Sequence, residues 1–253
     1  MKYLAVALLL VPFVTLSACQ TTQDGSWLEQ TQDVIAQTLN LPGGETTLGE
    51  LSNSDMIVGL REALSVGTGT VVKQLGVRDG FNLDPQIRIP LPRQLERVDS
   101  ALGNIGMNSL TQDLELRLNR AAEMATPRAK ELFINAISQM TITDAQEILY
   151  GGQNDAATQY LRRTMGVELG QDMTPIVGKA LSDAGAIRAY DSVMGQYQNL
   201  PFMPDVKADL NQYVVDKALD GIFYYVAAEE AAIRENPAKR TTDILKRVFG
   251  TLN

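Results

Sequence analysis

The stretch Lys207–Glu235, KADLNQYVVDKALDGIFYYVAAEEAAIRE, decides the fold class. Leu210, Val214, Ala218, Ile222 and Tyr225 recur at helical spacing and form one apolar stripe. Val215, Leu219, Phe223 and Val226 form a second. A helix on the surface of a globule keeps one apolar face, whereas one that is apolar on several sides belongs among other helices. The pattern therefore predicts a long central helix over 207–235 whose polar residues find partners.

Working outward, the rest of the chain also reads as helix. Ser52 and Asp55 open a helix over 53–75, with Met56, Ile57, Leu60, Leu64, Val71, Val72 and Leu75 on its apolar face. Gly67 and Gly69 predict a kink or a close helix contact in its middle. Gly76 to Pro92, GVRDGFNLDPQIRIPLP, is the least helical part. Ile87, Ile89 and Leu91 alternate there with Arg88 and Pro90, as in an extended strap. Pro92 then starts a helix reaching Leu102.

Further helices are expected over 109–125, over 127–139 (Thr126 as N-cap, Pro127 as first residue), over 143–150 (Thr143 N-cap) and over 154–165 (Asn154 N-cap). Others follow over 175–183 (Thr174 N-cap, Pro175 first), over 186–198, and over 238–249 after Pro237. A loop with Pro201 and Pro204 precedes the central helix. With no strand pair, hairpin signal or repeat, the fold class is all-α: a multi-helix domain with one central hydrophobic helix and an extended Pro-rich strap.

The N-terminus carries a different message. Lys2 is followed by the apolar core Leu4–Val14 and a small-residue exit, Thr15 to Ala18. The core is shorter than the ~20 residues needed to span a bilayer, and Pro12 interrupts it. Leu16-Ser17-Ala18-Cys19 resembles the lipobox of bacterial lipoproteins, which implies cleavage before Cys19 and palmitate-type acyl chains on that cysteine. Two or more chains hold a protein to a membrane nearly permanently. By resemblance to lipoprotein sorting, Gln20 favours the outer membrane, with the domain facing the periplasm. Residues 1–18 are then a signal peptide and 19–26 a lipidated cysteine with a polar tether. The domain occupies 27–253, beginning with a helix over 27–41 that Ser26 and Glu29 cap and Pro42-Gly43-Gly44 ends.

Composition narrows the chemistry. The chain has 22 basic and 30 acidic residues, and loss of Lys2 with the leader shifts its net charge from −8 to −9. An acidic chain without clustered Lys and Arg is a poor nucleic-acid binder. It contains no histidine and one cysteine. The commonest general base, the commonest transition-metal ligand and the thiol nucleophile are thus missing. No cofactor or metal motif is present, and catalysis could run only on Asp, Glu, Lys, Tyr, Ser or Thr.

The candidate polar residues fall on two helices. Asn119, Arg120 and Glu123 share one, with Arg120 and Glu123 three apart. They read either as a carboxylate or sugar site or as an ion pair locking helices together. Lys217, Asp220, Glu229, Glu230 and Arg234 lie on the central helix. Adjacent helical residues point about 100° apart, so Glu229 and Glu230 do not face one another. Gly151-Gly152 reads as a weak phosphate loop or, better, as a helix end followed by a new start. The RIPLP strap could dock a partner in polyproline form or pack on its own domain.

Several strings together resemble the bacterial family called domain of unknown function 4197. They are Gly80-Phe81, Ile87 to Pro92, Leu118 to Glu123, Ile148 to Gly152 with Ala156-Ala157-Thr158, Tyr213 to Gly221, Glu229 to Arg234, and Val248-Phe249-Gly250. In order they span about residues 48 to 250, and QNLPFMPDV at 198–206 departs from the pattern. The resemblance implies an envelope protein of uncharacterised function and supplies no catalytic residues.

These readings predict a lipid-anchored, non-enzymatic module for an envelope protein or a small ligand. The alternative is a carboxylate hydrolase of envelope glycans, with Glu123, Glu229 or Glu230 as acid and Asp144 or Asp220 as partner. A third reading, a carrier of an amphipathic molecule, requires an apolar cavity of several hundred Å³.

Overall fold

Polar and apolar spacing resolves into eight α-helices in a computed structural model, which describes residues 52–201 and 208–250. The leader, Cys19, the tether, the helix expected over 27–41 and most of the Pro201/Pro204 loop lie outside the described residues. Helix α1 spans Asn53–Leu75, α2 Glu96–Asn104, α3 Asn108–Ser138 and α4 Ile142–Tyr150. They are followed by α5 Ala156–Asp183, α6 Ala186–Gln198, α7 Leu210–Glu235 and α8 Asp243–Gly250. Short 3₁₀ turns at Arg93–Leu95 and Pro237–Lys239 lead into α2 and follow α7. The described residues belong to one compact unit and contain no strand.

The long helices form the core. α3 packs on α5, α1, α6 and α7, and α7 packs on α5, α1 and α3. Both predicted stripes of α7 are buried, from Val214, Ala218 and Ile222 to Val215, Phe223 and Val226. Its remaining side, along Gln212, Asp216, Tyr224 and Ala228, is exposed.

Two pairs of expected helices are each one helix. The segments 109–125 and 127–139 merge in α3 with Pro127 inside it. Thr126 caps nothing: its hydroxyl donates back to Ala122 O at 2.8 Å. The proline ring lies where a Cβ on Gly76 would meet it at 2.6 Å. Tertiary packing thus offsets the missing N–H. Likewise 154–165 and 175–183 are parts of α5, which holds Pro175 in its interior. Thr174 donates to Gly170 O at 2.9 Å rather than capping. Helix α4 starts one residue early, because Thr141 rather than Thr143 is its N-cap, with Asp144 completing a capping box. Helix α1 matches its expected bounds, and Ser52 accepts from Asp55 N at 3.0 Å. Of the two glycines in its middle, Gly67 faces Glu229 Cβ at 3.4 Å while Gly69 faces open space; the tightest approach is at Gly59, where a Cβ would stand 2.5 Å from Val248.

The strap after α1 turns at 76–87 and runs without regular structure to Pro92. Phe81, Ile87 and Ile89 plug into the core. A Cβ on Gly221 of α7 would stand 2.9 Å from Phe81 and 3.2 Å from Ile87, so the bare backbone at Gly221 is what admits the strap.

Candidate functional site

The eight candidate polar residues separate into four places. Asn119, Arg120 and Glu123, one turn apart on α3, face the strap. Asn119 Oδ1 accepts from Ile89 N at 2.8 Å while its amide donates to Ile89 O at 2.8 Å and Glu115 O at 2.9 Å. This buried amide meets both main-chain groups of one strap residue, as a neighbouring strand would. Glu123, with only 4% of its side chain exposed, accepts from Phe81 N and Asn82 N at 3.2 and 3.1 Å. Its other oxygen accepts from Arg120 Nη1 at 2.7 Å, and Arg120 Nη2 reaches Asp79 at 2.6 Å. Asp79 sits at φ 70°, and hydrogen bonds from Asn82 and then Arg120 hold its carboxyl below the ordinary value of 3.8. Arg88–Glu115 at 2.7 Å, Tyr213–Pro90 O at 3.1 Å and the Tyr225 hydroxyl on Asp84 fasten the strap further. The bond to Asp84, with burial, pushes Tyr225 up to about 12.

Glu230 and Arg234, one turn apart on α7, form the second cluster. Glu230, 1% exposed at its side chain, accepts from Ala157 N at 3.1 Å, from Thr158 N at 2.8 Å and from the Thr158 hydroxyl at 2.7 Å. Arg234 Nε and Nη2 reach the same carboxylate at 3.0 and 2.8 Å. The N-cap residue of α5, Asp155, makes no side-chain capping bond. Glu230 therefore caps α5 from another helix, with its negative charge at the positive end of the dipole. Arg234 also lies over the Phe249 ring at 5.5 Å.

The third place holds Lys217 and Asp220, 4.0 Å apart, with Arg162 of α5 also paired to Asp220. The fourth holds Glu229, 3.3 Å from Lys239 and pointed away from Glu230. Asp144 is committed to its capping box at Thr141.

Only the third place opens on a groove, which sequence reasoning missed. Helices α5 and α7 run antiparallel, and two hollows of about 520 and 490 Å³ follow their exposed seam. Both are lined by Arg162 and Phe223, so the two form one groove. One half carries Gln171, Thr174, Gln212, Asp216 and Asp220. The other carries Ala227, Ala228 and Ala231, with Asp155 and Gln159 at its end. Gly166, Gly170 and the three alanines leave the space, since larger side chains would fill it. Arg162 lies over Phe223 at 5.7 Å and marks the junction. The only sequence signal was the small residues on one side of α7, which read as ordinary helix. Among the described residues no group of three or more Cys, Asp or Glu is placed to hold a metal ion. Nor is any described helix long and apolar enough to cross a membrane.

A family model described as protein of unknown function (DUF4197) matches residues 50–250, and the chain belongs to that family. Its likeness strings meet in the two clamps: Phe81 with Glu123, Ala157 and Thr158 with Glu230, and Arg234 with Phe249. No curated protein and no solved structure matches the chain.

Proposed function

We propose that this protein is a lipid-anchored binding module of the cell envelope, facing the periplasm, whose ligand lies along the α5–α7 groove. The lipobox-like Leu16–Cys19 supports the anchor. The binding role rests on one observation: the buried carboxylates are spent on structure, while the open surface between α5 and α7 is lined by amides, hydroxyls and small side chains. Glu123 and Glu230 each have both oxygens occupied by backbone N–H groups and an arginine. Glycoside hydrolysis needs two free carboxylates about 5–10 Å apart across the scissile bond. In the groove Asp220 is paired with Arg162, and Asp216 stands on the same helix one turn away. An enclosed apolar chamber for an amphipathic cargo would need a drier wall than the half carrying Gln171, Gln212 and Asp216.

The experiment has two arms. The full-length protein is incubated with peptidoglycan and glycoside substrates, and no turnover is expected; turnover abolished by Asp220→Asn would overturn the reading. In cells, a photocrosslinking side chain at Val167, 78% exposed on the groove rim, is expected to give adducts absent when that half of the groove is filled by Gly166→Leu. Palmitate labelling lost in Cys19→Ser checks the anchor.

A further inference from the structure

The start of the strap sets an aspartate against a glycine that the fold requires. A Cβ on Gly80 would stand 2.5 Å from Leu75 O and 2.8 Å from Leu75 C, so no side chain fits there. Asp79 precedes it at φ 70°, a left-handed conformation that strains a residue with a Cβ. In an Asp-Gly pair the next main-chain nitrogen reaches the side-chain carboxyl most readily, because glycine puts nothing in its way. The Gly80 nitrogen donates to Val77 O at 3.1 Å. The carboxyl is held more firmly. Its Oδ1 accepts from Asn82 Nδ2 at 2.9 Å and from Arg120 Nη2 at 2.6 Å, and Arg78 Nε stands 3.9 Å from Oδ2. Water reaches the group, since 32% of the Asp79 side chain is exposed. A second such pair, Asp220-Gly221, lies inside α7, where helical hydrogen bonding fixes the backbone.

We propose that Asp79-Gly80 is a site of spontaneous isoaspartate formation, and that Arg120 and Asn82 hold it unreacted in the folded protein. In the reaction the Gly80 nitrogen bonds to Asp79 Cγ and gives up its proton, and the carboxyl hydroxyl leaves with that proton as water. A five-membered succinimide results. Water then adds at one of the two carbonyls and breaks its bond to nitrogen. Opening at the main-chain carbonyl leaves the chain running through Cβ, as isoaspartate. One water is lost and one is regained, so the site needs no oxidant and no partner. Only the neutral carboxyl has a hydroxyl to lose. The bonds from Asn82 and Arg120 keep the group ionised and fix its orientation. The product has one more main-chain atom two residues before Phe81, whose amide Glu123 grips. Isoaspartate at this position therefore pulls the first clamp of the strap out of register.

The test ages the full-length protein in an uncharged detergent at neutral pH and body temperature. Isoaspartate is counted by methyl transfer from a protein-isoaspartate methyltransferase. Peptide mapping locates it, since Asp24-Gly25 and Asp220-Gly221 share the dipeptide. The folded wild type is expected to react at Asp79 about tenfold more slowly than the chain unfolded in urea. Arg120→Gln should raise the folded rate about fivefold and Asn82→Ala about twofold, because each lets more of the carboxyl become neutral. Asn82→Ala leaves the Asn82 main chain on Glu123, so it decides the matter if Arg120→Gln does not fold. Asn119→Ala frees Ile89 without touching Asp79 and should leave the rate unchanged. Asp79→Asn should deamidate at this position, because the backbone there can close the ring. Equal rates in folded and unfolded wild type overturn the proposal, as do rates unchanged in both Arg120→Gln and Asn82→Ala. An Asn119→Ala rate as high as that of Arg120→Gln would make loosening of the strap the cause and overturn it too. So would the absence of deamidation in Asp79→Asn.

Discussion

Glu123 and Glu230 are the same device used on two different kinds of backbone. Each is buried on a long helix, paired with an arginine one turn away, and accepts two consecutive main-chain N–H groups. Glu230 grips Ala157 and Thr158, the first turn of a 28-residue helix. Glu123 grips Phe81 and Asn82 in a strap with no regular structure. A helix start has orphan donors by construction, so a carboxylate there also meets the dipole. A strap has no ladder of its own and must borrow every bond from its neighbours. The first clamp therefore secures an element that is already ordered along its length, and the second creates order where the backbone has none.

Replacing Glu230 by Leu breaks this comparison most severely. It leaves Arg234, 11% exposed, without its partner and uncaps α5, at an expected cost of about 3–5 kcal/mol in urea unfolding. A cost near zero would show that the cap is dispensable. Glu123→Leu is expected to cost less, about 2–4 kcal/mol, because Arg120 is 21% exposed and keeps Asp79. Its signature is local: amide exchange should accelerate from Phe81 to Ile89 while the start of α5 stays protected. Uniform acceleration across both regions would mean that strap and bundle unfold as one unit.

Asn119→Ala sharpens the comparison within the strap. It strands Ile89 N and O together, which should cost about 1–2 kcal/mol and leave the Phe81 and Asn82 amides protected by Glu123. The smallest effect is at Tyr225. Its raised pKa means the folded chain holds the phenol proton when the unfolded chain has lost it. That stabilisation is present below the ordinary value of 10 and is lost as pH rises towards about 12. Tyr225→Phe should therefore lower stability modestly at neutral pH and flatten its decline between pH 10 and 12, as urea titrations at successive pH values would show.

Much of this was legible along the chain. The double stripe of 210–226, the Ser52 cap of α1 and the divergence of Glu229 from Glu230 follow from helical periodicity and local capping. Pro127 and Pro175 misled, because local rules place proline at helix starts. At Pro127 a neighbour without a side chain, Gly76, makes room for the ring inside a continuous helix. Thr126 and Thr174 looked like caps for the same local reason and instead bond back to the preceding turn. The start of α5 was legible to within two residues, but its cap was not: Asn154 was expected, whereas Asp155 is the N-cap residue and the capping carboxylate is Glu230, 73 positions from Ala157.

What the sequence determined by itself was the helical class, the order of the segments and the residue types able to do chemistry. Those depend on spacings of three and four along one chain and on which side chains are present. Tertiary structure alone decided that two carboxylates would be absorbed in holding backbone. It also decided that glycines of one helix and alanines of another would line neighbouring parts of one seam. Burial and groove shape arise from which surfaces meet, and no local periodicity encodes that.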